Sequence, residues 1–156
     1  MYSVLEIATF FIHRSNSENK PITNKKLQKL VYYAQVWYLA FYNQKLFNER
    51  IEAWIHGPAI SKLYTKYKDY MSVNIPDVKV SKKLTDTTIE FLEDVWSKYG
   101  KYDGEYLEQL THNELPWQLA RQKLDTNSRS TKEIDLILAK NFYAQLRDKY
   151  ESGNVE

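Results

Sequence analysis

Histidine is the side chain best placed to exchange a proton near neutral pH, and this chain of 156 residues has three: His13, His56 and His112. Two of them sit in matching settings. His56 lies in EAWIHGP with Glu52, Trp54, Gly57 and Pro58, and His112 lies in LTHNELPW with Glu114, Pro116 and Trp117. A zinc site would need both imidazoles to converge with Glu52 or Glu114, but neither segment has a ligand spacing. His112-Asn113-Glu114 matches a fragment of the zinc-deaminase signature, whose chemistry also requires cysteines, and the chain contains none. There is no Gly-x-Ser-x-Gly elbow for a serine nucleophile, and the four glycines form no phosphate-cradling loop. The expectation is no catalytic residue, no metal and no cofactor: a binding protein rather than an enzyme. His13 is expected at a helix end in solvent. His56 and His112 are expected to hydrogen-bond backbone at two corners, with Trp54 and Trp117 buried close together between them. An anion-binding reading stays open, because helices starting at Pro58 and Pro116 would present unpaired N–H groups to a carboxylate or phosphate.

The elements that must position these residues are mostly helical. Val4, Ile7, Ala8, Phe11 and Ile12 mark a helix over 2–13. Thr23 is placed to cap a second, over about 24–42, whose Leu27, Leu30, Val31, Ala34, Trp37, Tyr38 and Phe41 follow the spacing of a buried stripe. Gln28 and Lys29 make its other side polar at first. Past Gln35 that side turns apolar too, with Val36, Leu39 and Ala40, so the helix is expected at the centre of the fold. A change to period two over 46–55 predicts one short β element, and Gly57-Pro58 is read as the start of the next helix. Residues 72–84 read as loop. Thr85 and Asp103 open two further helices, the first stopped by Gly100, and Pro116 opens a short one. Ser130 and Glu133 have capping-box spacing for a last helix carrying Ile134, Leu138, Phe142, Leu146 and Tyr150. The fold class is mainly α: a compact single-domain helical fold over residues 1–156 with a frayed tail at 151–156.

Composition agrees with a globular chain, at 43% hydrophobic and 27% charged residues. The 13 tyrosines suit half-buried positions and protein contacts. Net charge is only +2, but residues 1–70 carry 10 Lys/Arg against 5 Asp/Glu. The N-terminus lacks a basic flank and cleavage site, and the apolar run LVYYAQVWYLAFY is too short for a membrane span. A cytoplasmic protein is expected.

The ordered set LQKLVYYAQ, EAWIHGP and LTHNELPW, within residues 22–121, resembles the Panacea domain, the SocA-like family of antitoxin and phage-associated proteins. The resemblance implies a compact helical domain that neutralises an unrelated toxin by direct complex formation. Presentation of the toxin to a protease is one implied mode. It also makes Gln28, Tyr32, Tyr33, Gln35, Glu52, Trp54, His56, Gly57, Pro58, His112, Glu114, Pro116 and Trp117 the candidate partner-binding or family-motif positions. The expected partner is a protein, with no membrane involved. Two other readings stand beside this one. A phage or mobile-element accessory protein would bind another host protein. A nucleic-acid binder would use Lys25, Lys26, Lys29, Lys62, Lys66 and Lys68.

Overall fold

A capping box between Ser3 and Glu6 opens the first helix, α1 (Val4–Ser17), of the computed structural model, which describes residues 1–153. The helix runs four residues beyond its expected end. Ser15, Asn16 and Ser17 donate side-chain hydrogen bonds to the Ile12 and Arg14 carbonyls, so the polar run continues the helix instead of breaking it. The second helix, α2 (Asn24–Tyr42), has the expected bounds; Thr23 caps it, and Asn43 ends it in the left-handed conformation. Then come β1 (Glu52–Trp54), β2 (Gly57–Ala59), α3 (Ser61–Tyr67) with a 3₁₀ turn at Lys68–Tyr70, α4 (Asp86–Tyr99), α5 (Gly104–His112), α6 (Leu115–Ala120) and α7 (Leu136–Glu151). Thr85 and Asp103 cap α4 and α5 as their sequence positions predict.

α2 is the axis of the molecule. It packs against α1, α3, α4, α5, α7 and β2, and one continuous cluster of buried side chains runs through it from Val4 to Tyr143. Its burial is more complete than expected at one end and less at the other. Gln28 and Lys29, assigned to a polar outer side, are buried, while Tyr38 is half-buried and Phe41 is exposed. At 19 residues, or about 28 Å at the standard rise, α2 stays largely buried as far as Ala40 and leaves only Phe41 and Tyr42 exposed at its end. No helix among the described residues is long and apolar enough to cross a membrane.

Three expectations are corrected by pairing between distant segments. Gly57 and Pro58 belong to β2, not to a helix start: β1 and β2 form a two-residue antiparallel hairpin with Ala53 opposite Pro58. Ala53 sends its own N–H to the Lys132 carbonyl (2.8 Å), so the donor that proline lacks is not needed there. The residues just before α7 run alongside β1, with Ile134 N–H bonded to the Ile51 carbonyl at 2.8 Å. That pairing holds Glu133 and Ile134 extended. The last helix therefore starts after Asp135, which accepts from Ile137 and Leu138, and not at the Ser130–Glu133 box. The inward row of α7 shifts accordingly to Ala139 and Tyr143, leaving Leu138, Phe142 and Leu146 half-buried and Tyr150 exposed. α7 also extends into the expected tail as far as Glu151, with residues 154–156 of that tail lying outside the described residues.

Candidate functional site

The polar residues of α2 point inward because the segment from 46 to 60 brings its own unpaired backbone against the helix. Gln35 accepts from Leu46 N–H (2.8 Å) and donates to the Phe47 carbonyl (2.7 Å). One turn and more away, Gln28 accepts from Ile60 N–H (2.8 Å) and donates to Asn24 (3.0 Å). Lys29 Nζ donates to the Pro58 carbonyl at 3.2 Å. Buried backbone groups must find partners, and three side chains of one helix supply them over the length of the ribbon.

This stitching places the hairpin against α5 and α6. Trp117 is buried, donates Nε1 to the Trp54 carbonyl (2.8 Å) and stacks on His112 with ring centroids 3.9 Å apart. The two tryptophans are thus joined through the corner, but Trp54 is only half-buried: it bonds Glu52 at 2.7 Å and lies edge-on to Tyr64. Pro116 falls in the first turn of α6 and is buried. The histidines differ from the expected backbone-bonded pair. His56 occupies the hairpin turn with its side chain 67% exposed and Nδ1 3.3 Å from Glu108 Oε2. His112 Nε2 is buried without a hydrogen-bond partner among the described residues, and burial lowers the imidazole below its ordinary pKa. Burial works against ionisation of Glu108, but hydrogen bonds from Lys25 and His56 outweigh it and hold the carboxyl below the usual range. His13 likewise lies within α1, not at its end, and meets Asp77 at 3.0 Å.

A second centre forms where α2 meets α7 and the α5–α6 junction. Tyr33 and Tyr143 both donate to Glu114 Oε1, at 2.7 and 2.8 Å, and the Tyr143 and Tyr32 hydroxyls lie 3.0 Å apart. Tyr33 stacks on Tyr99 at 4.0 Å, and Trp37 Nε1 bonds the Tyr99 hydroxyl at 2.7 Å. Burial raises the Glu114 carboxyl and raises the hydroxyls of Tyr33, Tyr99 and Tyr143 far more. The structure therefore separates the candidates into two groups. Gln28, Glu52, Trp54, His56, Gly57, Pro58, His112, Pro116 and Trp117 gather at the hairpin, while Tyr32, Tyr33 and Glu114 join the tyrosine centre and Gln35 anchors residues 46–47. Sequence reasoning missed Tyr143, Glu108 and Lys98, and it read Tyr99 only as the last position of the apolar row of α4 with Ile89, Leu92, Val95 and Trp96. Tyr143 carried a signal as an apolar position one residue from the predicted stripe of α7.

Above the tyrosine centre, the uncovered ends of α2, α4 and α7 enclose an aromatic groove of about 300 Å³. Phe41, Tyr42 and Tyr150 are 48%, 55% and 46% exposed. Lys98 crosses the groove with Nζ 4.1 Å from the Trp37 ring centroid and 3.8 Å from that of Tyr150. Burial pulls this amine down to about 8. The lysines proposed for nucleic acid make no comparable surface. Lys26 and Lys29 are buried, Lys25 is paired with Glu105 and Glu108, and Lys62 is paired with Glu49. Among the described residues no group of three or more His, Asp or Glu side chains could hold a metal ion.

A family model, antitoxin SocA-like, Panacea domain, matches residues 27–118. That span runs from the first turns of α2 into α6 and contains both groups of candidate residues. No curated protein and no solved structure matches the chain. With more than half of its length matched, and with the three motifs meeting on one helix, the chain belongs to the SocA-like Panacea-domain antitoxin family.

Proposed function

We propose that this protein neutralises a cognate protein toxin by forming a direct complex, using the aromatic groove at the exposed end of α2 as its contact surface. The observation that carries this reading is the grouping of Phe41, Tyr42 and Tyr150 around the half-buried Lys98. Large aromatic side chains dominate binding energy at interface centres because each buries much area with few torsions to immobilise. Each ring packs on one side against Trp37, Tyr38 or Phe91 and keeps about half of its surface open to a partner. The family supports an antitoxin-like role and a protein partner in general. Binding without catalysis is favoured by the two histidines of the motifs, since His112 is stacked under Trp117 and His56 is tied to Glu108.

The test is co-expression with the product of each reading frame that neighbours this gene and is toxic when expressed alone. Phe41→Ser with Tyr42→Ser is expected to abolish protection and co-purification while the chain still folds with a modestly lowered melting temperature. Full protection by the folded double variant would remove the groove from the reading. Toxin half-life in the same cells separates two modes: simple sequestration leaves it unchanged or longer, and presentation to a protease shortens it.

A further inference from the structure

At the other end of α2, away from the aromatic groove, a cleft of about 480 Å³ opens between the helix start, the hairpin and the 3₁₀ turn. Its volume falls within the range of about 300–1,000 Å³ typical of small-molecule sites. Lys29 lines it and is 2% exposed, yet its ammonium has one hydrogen bond, to the Pro58 carbonyl, and no carboxylate within ion-pair distance among the described residues. Such a group has two N–H donors to spare and a desolvation penalty that an anion would offset. Burial is the main cause that brings its pKa down to about 7, with Lys25 adding to it and the more distant Glu108 and Glu105 opposing it. The backbone above it keeps the space clear: a Cβ on Gly57 would sit 2.5 Å from Lys29 Cε, and Gly57 has φ +107°.

The rest of the lining is complementary in type. Lys68 adds an exposed amine from the 3₁₀ turn, and His56 has its Nδ1 on Glu108, leaving Nε2 free for a ligand. The carboxylate at the edge, Glu105, has both oxygens on Lys25, at 3.0 and 3.1 Å. Trp54 and Tyr64, edge-to-face at 5.1 Å, form an apolar aromatic wall. The lining thus combines cationic donors with aromatic rings on which a planar ring can stack.

We propose that this cleft binds a small phosphate-bearing ligand with a planar ring, of the nucleoside phosphate class. The phosphate meets Lys29, Lys68 and His56, and the ring lies against Trp54 and Tyr64. This site is independent of the toxin-binding reading and rests on different residues.

The experiment is calorimetric titration of the whole chain with each of the four nucleoside monophosphates. Inorganic phosphate and the corresponding nucleosides serve as separate arms. At least one nucleotide is expected to bind at a single site, at least tenfold tighter than phosphate or its own nucleoside. Lys29→Met is expected to weaken that binding tenfold or more with the melting temperature held or raised. Should Lys29→Met fail to fold, Lys68→Ala, at an exposed position, decides instead through a several-fold loss. Absence of binding by all four nucleotides overturns the proposal, as does undiminished binding by the folded variants. Binding of inorganic phosphate as tight as any nucleotide, or of single-stranded RNA that the nucleotides do not displace, overturns it as well.

Discussion

The two ends of α2 obey opposite rules. From its start to Gln35 the helix buries two glutamines and Lys29, because a ribbon lacking most of its own sheet partners lies against it. Its last two residues, Phe41 and Tyr42, stay about half exposed, covered only in part by Arg147 and Phe91. Polarity along one helix therefore follows what each turn faces, and an average over the whole helix describes neither end. The buried turns are where the fold is specified, and the exposed last two residues are where the helix has surface to offer.

Substitutions can break or sharpen this contrast. The largest effect is expected at the buried corner, where Trp117→Ala should destabilise by about 3–5 kcal/mol, the range for a core aromatic. Trp54→Ala, at a half-buried ring, should cost about 1–2 kcal/mol. Equal losses in chemical denaturation would mean that the hairpin ring is as embedded as its partner. Next comes Gln28→Leu, which keeps size but leaves the Ile60 N–H without its acceptor. An orphaned buried donor costs about 1–3 kcal/mol, so a neutral Gln28→Leu would show that the ribbon does not depend on α2 for its backbone partners.

The smallest effects are pH-dependent and carry opposite signs at the two centres. Glu114 has a raised pKa in the folded chain, so the folded state holds its proton longer than the unfolded state. Its share of stability is present below the unfolded value of about 4.3 and is lost as pH rises through the folded pKa. His112 has a lowered pKa, so the unfolded state takes the proton first as pH falls. Stability linked to it is present above about 6.5 and is lost as pH falls through the folded pKa. Glu114→Gln should remove the decline on the alkaline side, and His112→Gln should remove the decline on the acid side. Melting temperatures measured from pH 4 to pH 8 would show it, and identical profiles for the two variants would refute the assignment.

Most boundaries set by a capping side chain next to the helix were legible, but the end of α1 was not, since Ser15, Asn16 and Ser17 prolong it through local bonds. Thr23, Thr85 and Asp103 each cap the helix that follows, and the bounds of α2 came from its own period and caps. The β2 strand was not, because Gly57-Pro58 is a plausible helix start until Ala53 is seen opposite it. The start of α7 failed for the same kind of reason: a well-spaced Ser130–Glu133 box yields to backbone pairing with residues 51–53. Within the candidate site, both tryptophans and both histidines could be nominated from their motifs. The burial of Lys29 and the meeting of Tyr143 with Glu114 could not, since their partners lie 29 residues away in each case.

The pairing of residues 132–134 with β1 also sets an order of events during synthesis. β1 leaves the ribosome about 80 residues before the strand-like segment that completes it. At about 5–20 residues per second, that interval lasts roughly 4–16 s. Throughout it the hairpin has an open edge, and the Trp117 and Arg121 contacts to it are absent or newly made. A nascent chain in this state exposes a strand edge of the kind that pairs with other chains. Closure of that edge, late and over a long loop, marks the moment at which the complete fold first exists.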